Sequence, residues 1–562
     1  MNAPADPGSV NAPAEPGSMN ALAEPGDMDA PVASVRPRSV EDWASRTPEH
    51  LALCEGDRSL TYRALNDAAN RLAGVLTERG RVLRGERVAV CTTNRLEWFV
   101  VQAAIAKLGA TLVPISHRLT PAEVHYIVAD SGAVAFVFDA DDAEAMARVW
   151  TDEPKTDFPS SVRLVLSVTA AAVPPVVSFA EATHAGLVVA RFSQAEAASI
   201  VYTSGTTGRP RGVVLGRTRR RDRPSGGSSE GATSQSRTSK PSLSSLPAPT
   251  ASRNLLGAPL NHAAGQASAR ATLGGGGTVY LMPRFDAEEA LRIISRERIT
   301  TTFLVPTMLA RLVALPDAVL ASHDVRSLKV IHTGASPCPQ AVKERVLAYF
   351  GGDCLIEGYG STEVGVVARM QPDEHLRKPG SCGRLLENVE LRIVGSDGHA
   401  VAAGALGELH VRTPFMIERY LNRGKPEELV DGFFATGDIG RLDADGFLYI
   451  LDRKKDMIIA GGVNIYPAEI ETAMRRHPGV FDVAVFGAPH PEWGEEVRAV
   501  VERATDSGVS EKELALFVAD ELAPYKRPRA IEFVKELPRN AAGKILKAEL
   551  REPYWRAAGR TI

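Results

Sequence analysis

The chain has 562 residues, 44% hydrophobic and 24% charged, with a formal net charge of −3. That length exceeds one ordinary core, so two or more domains are expected, and the composition is that of a soluble globular protein. The near-neutral balance excludes a global pull toward nucleic acid or an anionic membrane.

Five scattered cysteines, Cys54, Cys91, Cys338, Cys354 and Cys382, form no CxxC pair. They read as reduced thiols of a cytoplasmic protein rather than a zinc cluster. The most apolar stretch, from Trp98, is broken by Lys107 and Gly109. It reads as a buried helix followed by a strand, not a membrane span. No basic region precedes an apolar run at the N-terminus, so no secretory signal is read there.

Residues 1–38 are a degenerate nine-residue repeat of Ala, Pro and Gly: NAPADPGSV, NAPAEPGSM, NALAEPGDM, DAPVASVRP. So few large apolar residues cannot offset the entropy of ordering, and disorder is expected. Met19 and Met28 are alternative starts. From Ser39 the pattern becomes globular. A helix, a hairpin around Asp57 and an amphipathic helix come first, the last with Leu65, Ala68, Ala69, Leu72, Val75 and Leu76 on one face. ERVAVCTTN, TLVPIS, VAFVFD and RLVLSV then read as strands, with helices between the first three. That alternation predicts parallel sheets covered by helices.

The stretch YTSGTTGRPRG, Tyr202–Gly212, follows the apolar strand AASIVYTS. Ser204, Gly205, Thr206, Thr207 and Gly208 combine tight turns, hydroxyls and exposed N–H groups, a chemistry suited to polyphosphate oxygens. A Walker A pattern cannot be laid on it. The other reading is a Gly/Ser/Thr surface turn.

Residues 216–253 interrupt the pattern, with eight cations against Asp222 and Glu230 and almost no apolar residue. The stretch reads as an aberrant low-complexity insert. Without interleaved aromatics, nucleic-acid binding is a distant reading. Order is expected to resume at Leu255 with alternating helices and strands. CLIEGYGSTE reads as strand then loop, 395–451 as a small β-rich subdomain, and the rest as an α+β unit.

Together these segments resemble the adenylate-forming superfamily of acyl-CoA synthetases, from about Ser39 to Lys547. Five motifs carry the resemblance, in the family's order: YTSGTTGRPRG at Tyr202, GYGSTE at Gly358, TGD at Thr436, DRKKDMIIAGGVNIYPAEIE at Asp452 and PRNAAGKILK at Pro538. The resemblance implies an α/β fold: a large N-terminal adenylation domain over 39–451, a hinge at 452–456 and a small mobile C-terminal domain over 457–562. It implies ATP, Mg²⁺ and CoA as cofactors. A carboxylate attacks the α-phosphate, and a thiol then displaces AMP from the acyl-adenylate.

The same resemblance assigns roles. Thr203, Ser204, Gly205, Thr206, Thr207 and Gly208 would cradle the β- and γ-phosphates. Glu363 would bind Mg²⁺, and Thr362 a phosphate. Tyr359 would wall the adenine, with Gly358, Gly360 and Ser361 beside it and Gly334, Ala335 and Ser336 across the base. Asp438 would accept the ribose hydroxyls, with Arg453 in support. Lys455 stands at the matching hinge position. Gly461, Gly462 and Asn464 resemble the loop lining the pantetheine tunnel. Lys544, with Thr206 and Glu363, completes the catalytic set by bridging carboxylate and α-phosphate. The acyl pocket is expected from Asn261, His262, Ala263, Gly265, Thr333, Gly358 and Val364, small enough for an aryl or medium-to-long aliphatic acid.

Three departures stand out. Arg211 replaces the family's usual lysine, so slower adenylation is expected. Residues 216–253 lack the family's long apolar helix, as a reading-frame slip or a lineage insert would. Asn261 and His262 stand where amino-acid-activating domains carry an aspartate, and no carrier domain follows Lys547. Both points favour a free-standing CoA ligase. The alternatives are an acyl-AMP ligase loading a separate carrier protein and an inactive homologue that binds nucleotide. A homodimer is an open option.

Overall fold

A computed structural model describes residues 39–139, 159–169, 177–184, 199–203, 210–215, 252–402, 404–461, 463–519, 521–540 and 543–558. The repeat at 1–38, the loop residues Ser204–Arg209, the stretch 216–251 and Gly462 lie outside them. Arg38–Ile562 forms one compact unit.

The N-terminal helix Val40–Arg46 starts at a capping box in which Ser39 and Asp42 satisfy each other's backbone N–H. The hairpin Leu51–Glu55 and Arg58–Thr61 follows, then the helix Tyr62–Glu78. That helix buries Leu65, Ala69, Leu72, Val75 and Leu76, the face its periodicity predicts. Each of these Leu and Val side chains contributes about 1.5–3 kcal/mol when fully buried.

Four sheets organise the described residues. The first has seven strands in the order Val177–Ser178, Leu164–Ser167, Ala135–Phe138, Arg87–Cys91, Thr111–Ile115, Ser199–Thr203 and Arg211–Leu215. All its pairs are parallel except the last, in which Thr203 lies opposite Arg211. The second has nine strands and a parallel centre: Leu51–Glu55, Thr278–Leu281, Arg253–Leu256, Thr301–Phe303, Val330–Gly334 and Leu355–Ser361. Ala135–Phe138 and Leu164–Ser167 are buried along their whole length, as strands covered on both faces must be. One large core cluster joins residues of both sheets, from Val88 and Val137 to Leu256 and Val279.

The third sheet is antiparallel and holds Glu390–Val394, Gly407–Arg412, Leu429–Val430, Phe433–Leu442 and Leu448–Arg453. The fourth holds Ile458–Ala460, Val463–Ile465, Val480–His490, Gly494–Arg503 and Ala530–Val534. It has its own core around Ile470, Met474, Val485, Val501 and Leu514. The architecture is a mixed α/β chain with a large N-terminal part and a smaller C-terminal part.

Three expectations need correction. GYGS is strand, not loop: Leu355–Ser361 continues through Tyr359 because its far half pairs antiparallel with Gly365–Met370. Order resumes before Leu255. Arg253 already opens a strand, with its guanidinium bonded to Glu297 and lying over the Tyr280 ring. The small β-rich sheet begins at Glu390 rather than 395 and runs past 451 to Arg453. A helix of the C-terminal α+β unit runs over Pro467–Met474.

Candidate active site

Two strand ends from different sheets meet at the base of the phosphate-loop sequence. Thr203 closes Ser199–Thr203, and its hydroxyl donates to Glu363 Oε1 at 3.1 Å. Glu363 sits in the turn between Leu355–Ser361 and Gly365–Met370, and its carbonyl accepts the N–H of Ile417 at 2.8 Å. Thr413 Oγ1 donates to the Val364 carbonyl at 2.6 Å, fixing the same turn from the other side. One residue earlier in the same strand, Tyr202 donates its hydroxyl to Asp130 Oδ2 at 2.7 Å. Ser204, Gly205, Thr206, Thr207 and Gly208 fall outside the described residues.

The Arg211 side chain is held by the segment around Tyr420 and Glu428. Arg211 opens the strand Arg211–Leu215, donates to Glu428 Oε1 at 2.8 Å and lies 5.2 Å from the Tyr420 ring centroid. Sequence reasoning assigned nothing to Glu428 or Tyr420, which stand in a turn-rich segment without a motif of their own.

A second carboxylate, Asp438, is held from two directions. Asp438, in the strand Phe433–Leu442, is 6% exposed. Its Oδ1 pairs with Arg453 Nε at 2.9 Å, its register partner across the ladder. Its Oδ2 accepts the Tyr359 hydroxyl at 2.6 Å. Burial, and then the Asp438 charge, hold the Tyr359 phenol protonated far above its usual range. Gly334 pairs with Gly358 on the adjacent strand, and a Cβ at Gly334 would stand 2.6 Å from the Gly358 carbonyl oxygen. Ala335 follows with φ of 70°, a left-handed conformation that costs a non-glycine residue about 1 kcal/mol and gathers at functional sites.

Lys544, near the far end of the chain, feels the charges of Arg453 and Asp438. Its hairpin is closed by Asn540, whose N–H donates to the Lys544 carbonyl and whose Oδ1 accepts the Lys544 N–H. Gly543 has φ of 77°, and a Cβ there would overlap the Thr307 hydroxyl on the helix Pro306–Val313. The hairpin therefore packs directly on the N-terminal part of the molecule. Burial first, then the Arg453 and Lys455 charges, push the Lys544 ammonium down to about 8, while Asp456 and Asp438 oppose them. Arg539, within the quoted PRNAAGK motif but unassigned from sequence, forks between Asp482 at 2.6 Å and the Gly543 carbonyl at 3.2 Å.

The expected acyl pocket is polar at several points. Thr333 is buried, and neither its Oγ1 nor His262 Nε2 finds a partner among the described residues. Burial pushes His262 down to about 4, so its ring is neutral near neutral pH. His262 caps the helix Ala263–Gly274, in which Gly265 packs against the Pro259 carbonyl. Asn261, Ala263 and Val364 lie where this helix start and the Glu363 turn place them.

Gly461 and Asn464 are not gathered with the nucleotide residues. Gly461 donates to the Trp493 carbonyl and Asn464 pairs with Ile459, both within the fourth sheet. Lys455 lies in the turn between the third and fourth sheets, and its carbonyl accepts from Arg551 at 3.4 Å. Among the described residues no group of three His, Cys, Asp or Glu could hold a metal ion. One carboxylate beside a hydroxyl, completed by phosphate oxygens, still suits Mg²⁺, which takes few protein ligands and hard oxygen donors. No described helix is long and apolar enough to cross a membrane.

Comparison with known proteins fits this geometry. The AMP-binding enzyme family matches residues 40–421, and the AMP-binding enzyme C-terminal domain matches 469–544. The chain is 35% identical over 511 residues to the long-chain-fatty-acid–CoA ligase FadD13 of Mycobacterium tuberculosis, covering 89% of this chain and 94% of that one. It is 33% identical over 521 residues to the fatty acid–[acyl-carrier-protein] ligase ScoC of Streptomyces coeruleorubidus, covering 91% and 94%. The solved o-succinylbenzoate coenzyme A synthetase of Bacillus subtilis, in complex with ATP and magnesium, superposes with a TM-score of 0.72 at 28% identity over 92% of this chain and 99% of that one. The chain belongs to the AMP-binding enzyme family of the adenylate-forming superfamily.

Proposed function

We propose that this chain is an AMP-forming acid–thiol ligase that activates a carboxylic acid with ATP and transfers the acyl group to CoA. The observation that carries the reading is that the Lys544 hairpin packs on the N-terminal part at Thr307, with Lys544 in the field of the Asp438–Arg453 pair.

In the first half-reaction a substrate carboxylate oxygen attacks the α-phosphorus of ATP, and the bond from that phosphorus to the α,β-bridging oxygen breaks, so that pyrophosphate leaves with the bridging oxygen. Two anions must approach. The Lys544 ammonium neutralises charge on the carboxylate and the α-phosphate as the bond forms, a role suited to a compact cation on a flexible stem. Asp438 receives the ribose hydroxyls, oriented by Tyr359 and Arg453. Tyr359 walls the base, with Gly358, Gly360 and Ser361 beside it and Gly334–Ser336 opposite. Thr203 to Gly208, with Thr362, hold the leaving phosphates. Mg²⁺, held by Glu363 with phosphate oxygens, supplies charge neutralisation on the polyphosphate when bound.

In the second half-reaction the CoA thiolate attacks the acyl carbonyl and AMP leaves. This reading has the C-terminal part turning about Lys455, so that Gly461, Gly462 and Asn464 line the thiol's approach. The likeness to the CoA ligase FadD13 supports CoA as acceptor; the likeness to the carrier-protein ligase ScoC keeps a carrier protein as the second reading. The acyl pocket over Asn261, His262, Ala263, Gly265, Thr333, Gly358 and Val364 sets which acid enters.

A panel of aryl and aliphatic acids with ATP, with and without CoA or a phosphopantetheinylated carrier protein, tests this. AMP and acyl-CoA formed together support the reading. Acyl-adenylate that only a carrier protein consumes selects the second reading. Nucleotide binding with no exchange of pyrophosphate into ATP defeats both.

A further inference from the structure

Asp452 makes contacts on both sides of the chain's turn between its third and fourth sheets. It is the penultimate residue of Leu448–Arg453, whose ladder partner is the Asp438 strand. Its carboxylate is 7% exposed. Oδ1 accepts the Arg453 N–H at 2.7 Å, and Oδ2 accepts the Ala468 N–H at 2.9 Å. Ala468 lies in the first turn of the helix Pro467–Met474, past the turn at 454–456. The cation acting on Asp452 is Lys547, three residues beyond Lys544. Lys547 Nζ is bonded to Glu471 Oε1 at 2.7 Å, and Glu471 is on the same helix as Ala468. One carboxylate from the N-terminal side of the turn thus binds the helix and faces the cation that together support the Lys544 hairpin.

We propose that Asp452 is a positioning residue for adenylation: it fastens the C-terminal part in the orientation that presents Lys544 to the Asp438–Arg453 pair, and it lets go for thioester formation. The contact from Asp452 to Ala468 spans Lys455, so a rotation there pulls its two ends apart. Arg453 carries the consequence to the nucleotide. Its N–H is held by Asp452 and its guanidinium by Asp438, so the latch and the ribose carboxylate share one residue. Lys547 keeps Glu471 when Asp452 is removed, so the variant leaves no buried cation without a counter-charge.

The proposal rests on the two half-reactions of the proposed function, and the experiment separates them. Acid-dependent pyrophosphate–ATP exchange reads adenylation. CoA added to a synthetic acyl-adenylate, of an acid accepted in the panel, reads thioester formation. Asp452→Ala should lower exchange about tenfold, the size of one charge-assisted hydrogen bond, and leave thioester formation unchanged or faster. Asp452→Asn keeps an acceptor for the Ala468 N–H and should fall between. It carries the test by itself if circular dichroism finds the alanine variant unfolded. An equal fall in both half-reactions, or unchanged exchange, overturns the latch. Wild-type protein with neither half-reaction overturns the proposed function, and the latch with it.

Discussion

Tyr359 donates its hydroxyl to Asp438 Oδ2 at 2.6 Å, while Arg453 occupies Oδ1 at 2.9 Å. The carboxylate that would receive a ribose is therefore oriented before any nucleotide arrives, by one neutral donor and one cation. Each carboxylate oxygen keeps a further lone pair for a ribose hydroxyl. Tyr359→Phe removes a hydrogen bond to a charged acceptor, worth about 1.5–3 kcal/mol. KM for ATP should rise about tenfold, with kcat changed far less, because the bond acts on binding rather than on the reacting phosphorus. Steady-state kinetics with ATP varied, at saturating acid and CoA, checks the split.

Lys544 titrates within reach of assay. Burial and the neighbouring Arg453 and Lys455 charges bring its ammonium to about 8. The proposed role needs the proton on, so adenylation by the free enzyme should fall as pH rises through about 8. Bound ATP adds negative charge beside the ammonium and should move that limb to higher pH in kcat. Lys544→Ala should abolish adenylation while synthetic acyl-adenylate is still converted to thioester. A pH profile of kcat/KM that stays flat from about 7 to 9.5 would show that Lys544 is not the group that matters.

Much of this was legible in the sequence, for reasons that can be named residue by residue. The helix Tyr62–Glu78 followed its periodicity, and the buried strands Ala135–Phe138 and Leu164–Ser167 followed their runs of apolar residues. GYGS was misread because three turn-forming residues argue for a loop, and only pairing with Gly365–Met370 makes them strand. Asp438, Arg453 and Tyr359 could be named from motifs, but not the fact that the first holds the other two. Glu428, Tyr420 and Asp452 act through contacts hundreds of residues apart or across the interdomain turn, which no local pattern encodes.

Beneath the expected adenine wall, Lys343 and Glu357 form an ion pair at 2.5 Å with both side chains less than a tenth exposed. Glu357 precedes Gly358 and Tyr359, so the pair anchors the strand that carries them. Lys343→Met strands a buried carboxylate and should destabilise the fold by about 3–5 kcal/mol. The double variant Lys343→Met/Glu357→Leu should recover most of that loss, since replacing both charges with apolar groups is often neutral. Urea midpoints of the two single variants and the double variant decide it.

Arg211 tests the same logic at the phosphate loop. Its guanidinium bonds Glu428 and lies over Tyr420, and the backbone just after it is joined to the same segment. Val213 bridges Tyr420, and Leu421 donates its N–H to the Gly212 carbonyl at 2.8 Å. Arg211 thus ties the start of its strand to the segment 420–428. A lysine can reach the carboxylate or cover the ring, but it lacks the planar fork to do both. Arg211→Lys should therefore cost about 1 kcal/mol of stability and raise KM for ATP a few-fold, although lysine is the family's usual residue there. Glu428→Gln should act in the same direction, because it loosens the same tether. Faster adenylation by Arg211→Lys, with stability unchanged, would mean that position 211 serves the phosphates directly and that the tether is incidental.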